Sequence, residues 1–456
     1  MVDRTQQILD LPLPGGESDE TRADALLLRG KALTQLGDNV GARRDSLEAA
    51  RMALENDDLA LLVRAVLSIR GTGGAPATNP RDFDLVCTTL DRVANDSPDR
   101  ARLLGLAASH ASASSEHHGR AKEFAAEAVA AARAVGDPDV LRQVLEDAAI
   151  TVIDRPGTQR LLDIADELDG IPTPDELQSP TSGADRLRLT ALARTGRLAE
   201  FRAVRERSIT ATPAQTAALL ATDVALALAQ ARIAEARDLH ARQRDVVEPG
   251  SLWMATWLDQ ETRLRLLEGD TQEVIARLKR ARERYDSVEV ISTLALTHAH
   301  AGDFGDAHYL ATTLTESPGR VPWNLMRPRV LSDLTQVAGL IGSRDIAEAV
   351  LPMLLPYDGE MLYPCDLLMT IDGAAASLLG VLEAVIGQPE AAAVHFDAGL
   401  RLEESFEAHG LATTTRTWRA QLLADRGSEV ALDTPSGARR RPSPRTRPRP
   451  PRTSGA

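Results

Sequence analysis

The 456-residue chain is 43% hydrophobic but only 3% aromatic, so Ala and Leu must supply its packing, as in closely approaching helices rather than in sheets built from aromatic and β-branched residues. Its formal charge is −14, and setting apart the seven arginines between Arg439 and Arg452 leaves a body at −21, which argues against that body gripping nucleic acid or an anionic membrane. Cys87 and Cys365 form no metal or redox motif, and neither a signal segment nor an apolar run of about 18 residues is present, so the expectation is a cytoplasmic chain with reduced thiols.

In chain order, residues 1–20 read as a short lead-in and linker, with Pro12, Pro14, Gly15 and Gly16 following a brief apolar piece. Apolar spacing of helical period predicts helices over 21–36, 40–55 and 59–70, then, after the interrupting loop GTGGAPATNPRD, over 83–95, 98–114, 120–135, 139–153 and 158–168. The Pro-rich segment DGIPTPDELQSPTSG, 169–183, separates this first half (21–168) from a more regular second half (184–427), and the array is expected to bend there. The second half predicts helices over 184–194, 198–209, 213–228, 233–246, 251–267, 271–285, 288–300 and 304–315, with loops at 318–328 and 353–364 and a closing helix over 412–425. Residues 428–456 hold too many prolines and like charges to fold and read as a disordered basic tail, expected to attract polyanions weakly and without sequence preference.

The helices pair by turn glycines. Gly269, Gly302, Gly342 and Gly387 recur at spacings of 33, 40 and 45 residues, against a tetratricopeptide period of ~34, and each precedes a second, Ala-rich helix. A two-helix unit has too little interior to be stable alone, so the expected fold is all-α, a tetratricopeptide-like α-solenoid of stacked helical hairpins. More than about 70% of the chain should be helical, with essentially no strand. Gly302 and Gly387 should close their helices with positive φ, and the Asp that often follows such a glycine can cap the next helix.

The segment LLGVLEAVIGQPEAAAVHFDAGLRLEESFEAHGLATTTRTWRAQLLADRG, together with LTALARTGRLAEFRAVRE and LLLRGKALTQLGDNVGARRDSLEAARMA, resembles the tetratricopeptide-like C-terminal region of large bacterial signal-transducing ATPases and LuxR-type transcriptional regulators, a region also found behind adenylate cyclase domains. The resemblance implies an interaction or sensing role in signalling. It stops short of the catalytic and DNA-reading parts: Gly30-Lys31 is followed by Ala32 inside a predicted helix, so no phosphate loop forms there, and the basic tail lacks the apolar positions of a helix-turn-helix.

Candidate sites are few. His298, His300 and His308 lack the spacing of a metal site, His117-His118 reads as a solvated face, and His395 as packed within its helix. Gly71–Gly74 reads as a flexible connection, and the neighbouring acids Glu403-Glu404 and Asp57-Asp58 diverge on a helix and read as solvated. Trp253 and Trp257, four apart on one helix face in a chain poor in aromatics, are core residues by default and the one candidate partner contact. No catalytic, cofactor or metal residue is assigned and no cofactor is implied. The expected function is a non-enzymatic helical-repeat module that holds a protein, a peptide or a small regulatory ligand on the inner face of the solenoid, without specific nucleic-acid or membrane binding. The alternatives are a detached part of an ATP-binding regulator or cyclase, and an enzyme built around a cleft.

Overall fold

A computed structural model describes residues 19–35, 39–69, 80–112, 116–153, 157–172, 183–208, 213–247, 252–283, 287–316, 318–321, 323, 326–362 and 370–430. The glycine loop 71–74, Cys365 and residues 431–456 of the basic tail lie outside them. Of the described residues 84% are helical, in 21 α-helices. The first half holds α1 (Asp19–Gln35), α2 (Asn39–Glu55), α3 (Leu59–Ser68), α4 (Pro80–Leu90), α5 (Pro98–Ser112), α6 (Ala121–Val135), α7 (Pro138–Ile153) and α8 (Gln159–Asp169). Six further helices follow as α9 (Gly183–Arg194), α10 (Leu198–Arg207), α11 (Pro213–Ala229), α12 (Ile233–Val246), α13 (Leu252–Leu267) and α14 (Thr271–Arg282). The array ends with α15 (Val288–Ala301), α16 (Phe304–Thr315), α17 (Arg327–Ile341), α18 (Arg344–Leu354), α19 (Ala375–Ile386), α20 (Pro389–Ser405) and α21 (His409–Val430). Consecutive helices pack as hairpins, and the fold is the all-α stack that the repeats predict.

The turn glycines behave as their chemistry requires. Gly302 closes α15 at φ 81° and Gly387 closes α19 at φ 102°, both in the left-handed region that a Cβ disfavours. The acids that follow do not cap through their side chains, contrary to expectation: Asp270 and Asp303 sit at N-cap positions with ψ near 54° and 62°, short of the extended backbone that aims a cap inward. Their carboxylates turn back to the preceding helix, Asp270 to Arg265 (2.8 Å) and Asp303 to His298 (3.2 Å). In the α11–α12 turn the left-handed position is held by Ala231, at φ 60°. Exchanging Gly387 for Ala should therefore cost about 1 kcal/mol and exchanging Ala231 for Gly should return a similar amount. Urea midpoints with shifts of the same sign would contradict that reading.

Several boundaries differ from the sequence reading. The 353–364 loop contains the end of α18, a 3-10 turn over Leu355–Tyr357 and a short strand β1 (Met361–Leu362), which pairs antiparallel with β2 (Gly373–Ala374). Bonds from Asp372 N to Leu362 O (2.8 Å) and Ala375 N to Glu360 O (2.9 Å) extend that ladder. Helix α4 ends at Leu90 and the chain turns through 91–97, while α21 continues past Gly427 to Val430.

The array does not stay open. Leu189, Leu192, Phe201 and Ala229 near the start of its second half share one buried cluster with Met361, Ile371, Ala374, Phe406 and Ala408 near its end. Phe201 meets Phe406 edge to face at 5.6 Å, and Arg202 pairs with Glu407 at 2.6 Å. Gly410 brings α21 against the end of α11 so closely that a Cβ there would stand 3.0 Å from the carbonyl oxygen of Ala229. The core also runs from one half to the other: Ala184, Leu187 and Ala191 of α9 belong to the first-half core, and its Leu189 and Leu192 to the closing cluster.

Candidate ligand cavity

Asp259 and Arg263 on α13, and Arg329 and Asp333 on α17, are each spaced four residues apart and so share a helix face. The two faces cross-pair: Arg263 bonds Asp333 at 2.6 Å and Arg329 bonds Asp259 at 2.5 Å. The second arm of Arg329 holds Asp372, just before β2, at 2.5 Å. On α15, Ser292 and Thr293 donate to the free oxygen of Asp333 (3.1 and 2.8 Å), and Thr370 donates to Asp372 (3.1 Å). Asp333 and Arg329 are essentially inaccessible to solvent. Burial pushes the Asp372 carboxyl above its usual range, against the pull of Arg329 and Arg263.

A cavity of about 300 Å³ adjoins this network, lined by residues from both sides of the closure of the array and open to solvent at its rim. Part of its lining is apolar, with Leu228 and Ile233 from the α11–α12 hairpin, Leu266 from α13, Leu378 and Val381 from α19, and Leu411 from α21. The polar part is Arg263, His300, Gln336, Asp372 and Glu403, and Trp418 of α21 lies beside Val381 over Gly339, where a Cβ would meet its ring at 2.9 Å. That glycine lets the indole approach α17. Desolvation, with the Arg263 charge adding to it, holds His300 below the ordinary imidazole range.

Glu403 is 1% exposed. The solvated reading of the Glu403-Glu404 pair is therefore corrected: adjacent helical residues diverge, and the one that turns inward continues the buried stripe Ala392, Phe396, Gly399. Its Oε1 accepts from the Ala374 amide (3.1 Å), the Ser377 hydroxyl (2.8 Å) and the Thr415 hydroxyl (3.1 Å). Oε2 bonds no group among the described residues. Burial raises this carboxyl above its usual range, and Arg416, the guanidinium that acts on it, is spent on Glu404 at 2.5 Å.

The tryptophans of the sequence reading lie elsewhere. Neither Trp253 nor Trp257 lines the cavity, and both are half-buried. Trp257 stacks on His240 of α12 (centroids 4.6 Å apart), donates its indole N–H to the His240 carbonyl (3.1 Å), and lies under Arg244. His117 and His118 are corrected from a solvated face to ring contacts, since His117 stacks on Phe83 at 4.3 Å and His118 on Trp323 at 5.8 Å. His395 bonds Glu383 at 2.6 Å. Gly30 and Lys31 lie inside α1. Among the described residues no group of three His, Cys, Asp or Glu side chains is placed to hold a metal ion, and no helix is long and apolar enough to cross a membrane.

No family model matches the chain, and no curated protein matches it. Among solved structures it is similar to the APC/C hetero-tetramer Cut9-Hcn1, at 13% identity over 91% of this chain and 84% of that one, with a TM-score of 0.42. It is also similar to yeast Tom70, at 10% identity over 95% and 98% of the two chains, with a TM-score of 0.32. A circular tandem repeat protein with novel repeat topology gives 14% identity over 94% and 97%, with a TM-score of 0.13.

Proposed function

We propose that the chain is a non-enzymatic helical-repeat binding module that takes a small regulatory ligand in the cavity of its closed second half, and that it acts in signalling or transcriptional control. The observation that carries the ligand site is the cavity itself: a largely apolar lining with a few polar groups, of a size that suits a small molecule. The signalling context rests on the resemblance of the repeat text to the arrays of bacterial regulators. A protein or peptide partner would meet α13, with the half-buried Trp253 and Trp257 as contacts.

Leu267, 63% exposed at the rim of the cavity, offers a test that leaves the core alone. A panel of small amphipathic molecules should raise the melting temperature of the wild-type chain, and Leu267→Trp should suppress those shifts by obstructing the rim. Shifts unaffected by Leu267→Trp, but lost in Trp253→Ala or Trp257→Ala, would move the site to α13 and refute the cavity reading.

A further inference from the structure

The charges around the cavity do not balance. Within the network and the cavity lining, the two guanidiniums of Arg263 and Arg329 stand against four carboxyl groups, those of Asp259, Asp333, Asp372 and Glu403; burial favours the neutral forms of Asp372 and Glu403, and a cation beside them favours the charged forms. Three of the acids are held by the two arginines, whereas Glu403 faces only hydroxyls and an amide within bonding distance. Asp372 Oδ2 and Glu403 Oε2 are shielded from water and bond no group among the described residues. Excess negative charge in a low-dielectric interior acts over several ångströms with little screening, so a cation seated in the cavity need not touch either oxygen to be held. Trp418 lines the same cavity, and an indole face is the best aromatic partner for an organic cation. Among the described residues no three His, Cys, Asp or Glu side chains are placed to hold a metal ion, and the apolar part of the lining suits an organic body better than a strongly hydrated ion.

We infer that the ligand of this cavity is an organic ammonium, a positively charged nitrogen on an apolar body, with the charge near Glu403 and Trp418 and the body against Leu228, Ile233 and Leu266. The inference rests on the cavity reading above and names its ligand class. Glu403 is the residue that sets the preference for charge, and the three donors on its Oε1 fix the carboxylate in place.

The test uses the full chain and three probes of one shape: 2-phenylethylammonium, the neutral 2-phenylethanol and the anionic 3-phenylpropanoate, titrated by calorimetry. The ammonium should bind at least about tenfold more tightly than the alcohol, as expected of weakly screened attraction to a buried carboxylate, and the carboxylate should bind more weakly than either. Glu403→Gln keeps the shape and removes the charge, so the ammonium and the alcohol should then bind within about twofold of each other. The wild-type series alone decides the matter if that variant fails to fold. Binding of the alcohol or the carboxylate as tight as that of the ammonium, lost in Leu267→Trp, would overturn the ammonium class and leave the cavity reading intact. Absence of binding by all three, or binding indifferent to Leu267→Trp, would overturn both.

Discussion

Arg329→Met is expected to destabilise the second half by about 3–5 kcal/mol, the cost of leaving buried charges without their partner. The side chain is 1% exposed and bridges Asp259 on α13 to Asp372 before β2, so its loss strands two carboxyl groups, the buried Asp372 and the partly exposed Asp259. Methionine fills much of the volume, which separates the charge effect from a simple cavity. The defect should also depend on pH. Desolvation already lifts the folded-state pKa of Asp372 above its unfolded value, and losing Arg329 lifts it further. The folded state then binds the extra proton, so stability falls as pH rises from the ordinary carboxylate range toward that raised pKa. The penalty of Arg329→Met, read as the urea midpoint difference from wild type, should therefore be larger at pH 8 than at pH 5. A small, pH-independent loss would mean that the network contributes packing alone. If Asp259→Asn and Asp372→Asn are then added to Arg329→Met, most of the loss should be recovered, because neutral amides carry no stranded charge.

How much of this was legible follows from what periodicity can encode. Helices 233–246 and 304–315 match the structure residue for residue, because each lies between turn residues and an apolar stripe that a 3.6-residue period makes visible. The α11–α12 turn was found without a glycine, from the stripe alone, although Ala231 holds the left-handed position there. The strand pair at Met361–Leu362 and Gly373–Ala374 was not found, since two residues are too few to show alternation and the pairing is set by a fold that brings 361 and 374 together. The cavity was hidden for a related reason. Glu403 was grouped with Glu404 as a neighbour in sequence, yet its phase with Phe396 and Gly399 already placed it on the buried stripe. The i, i+4 repetition of Asp259–Arg263 and Arg329–Asp333 was a second available signal, a charged pair on each of two helices that a solvated face does not require. What no local pattern could give is the closure, which joins residues near 200 to residues near 406.

That closure makes the second large prediction. Phe406 is fully buried, meets Phe201 edge to face, and belongs to the cluster shared by α9, α10, α11 and the α20–α21 turn. Phe406→Ala is expected to cost about 3–5 kcal/mol through lost burial and the cavity left behind. In an open solenoid each repeat touches only its neighbours, so such a lesion in the last hairpin would fray that end and spare the rest. Here the last hairpin is also a neighbour of the first one in the closed half, and the lesion should travel. Hydrogen exchange in Phe406→Ala should accelerate both in α20 and α21 and in α9 and α10, while α1 to α6, which lie outside the closing cluster, keep their protection. Arg202→Ala, which removes the exposed pair with Glu407 across the same seam, should leave stability nearly unchanged, since solvent screens it. The seam is thus held by the aromatic contact and the approach of Gly410 to Ala229, and Gly410→Val, with branches where backbone oxygen already stands 3.0 Å from a Cβ, should reproduce the exchange pattern of Phe406→Ala. Acceleration confined to residues 389–430 in both variants would show that the seam contributes nothing to the stability of α9 and α10. The ligand cavity, walled on one side by α11 and α12 and on the other by α19 and α21, would then have no means of holding its shape.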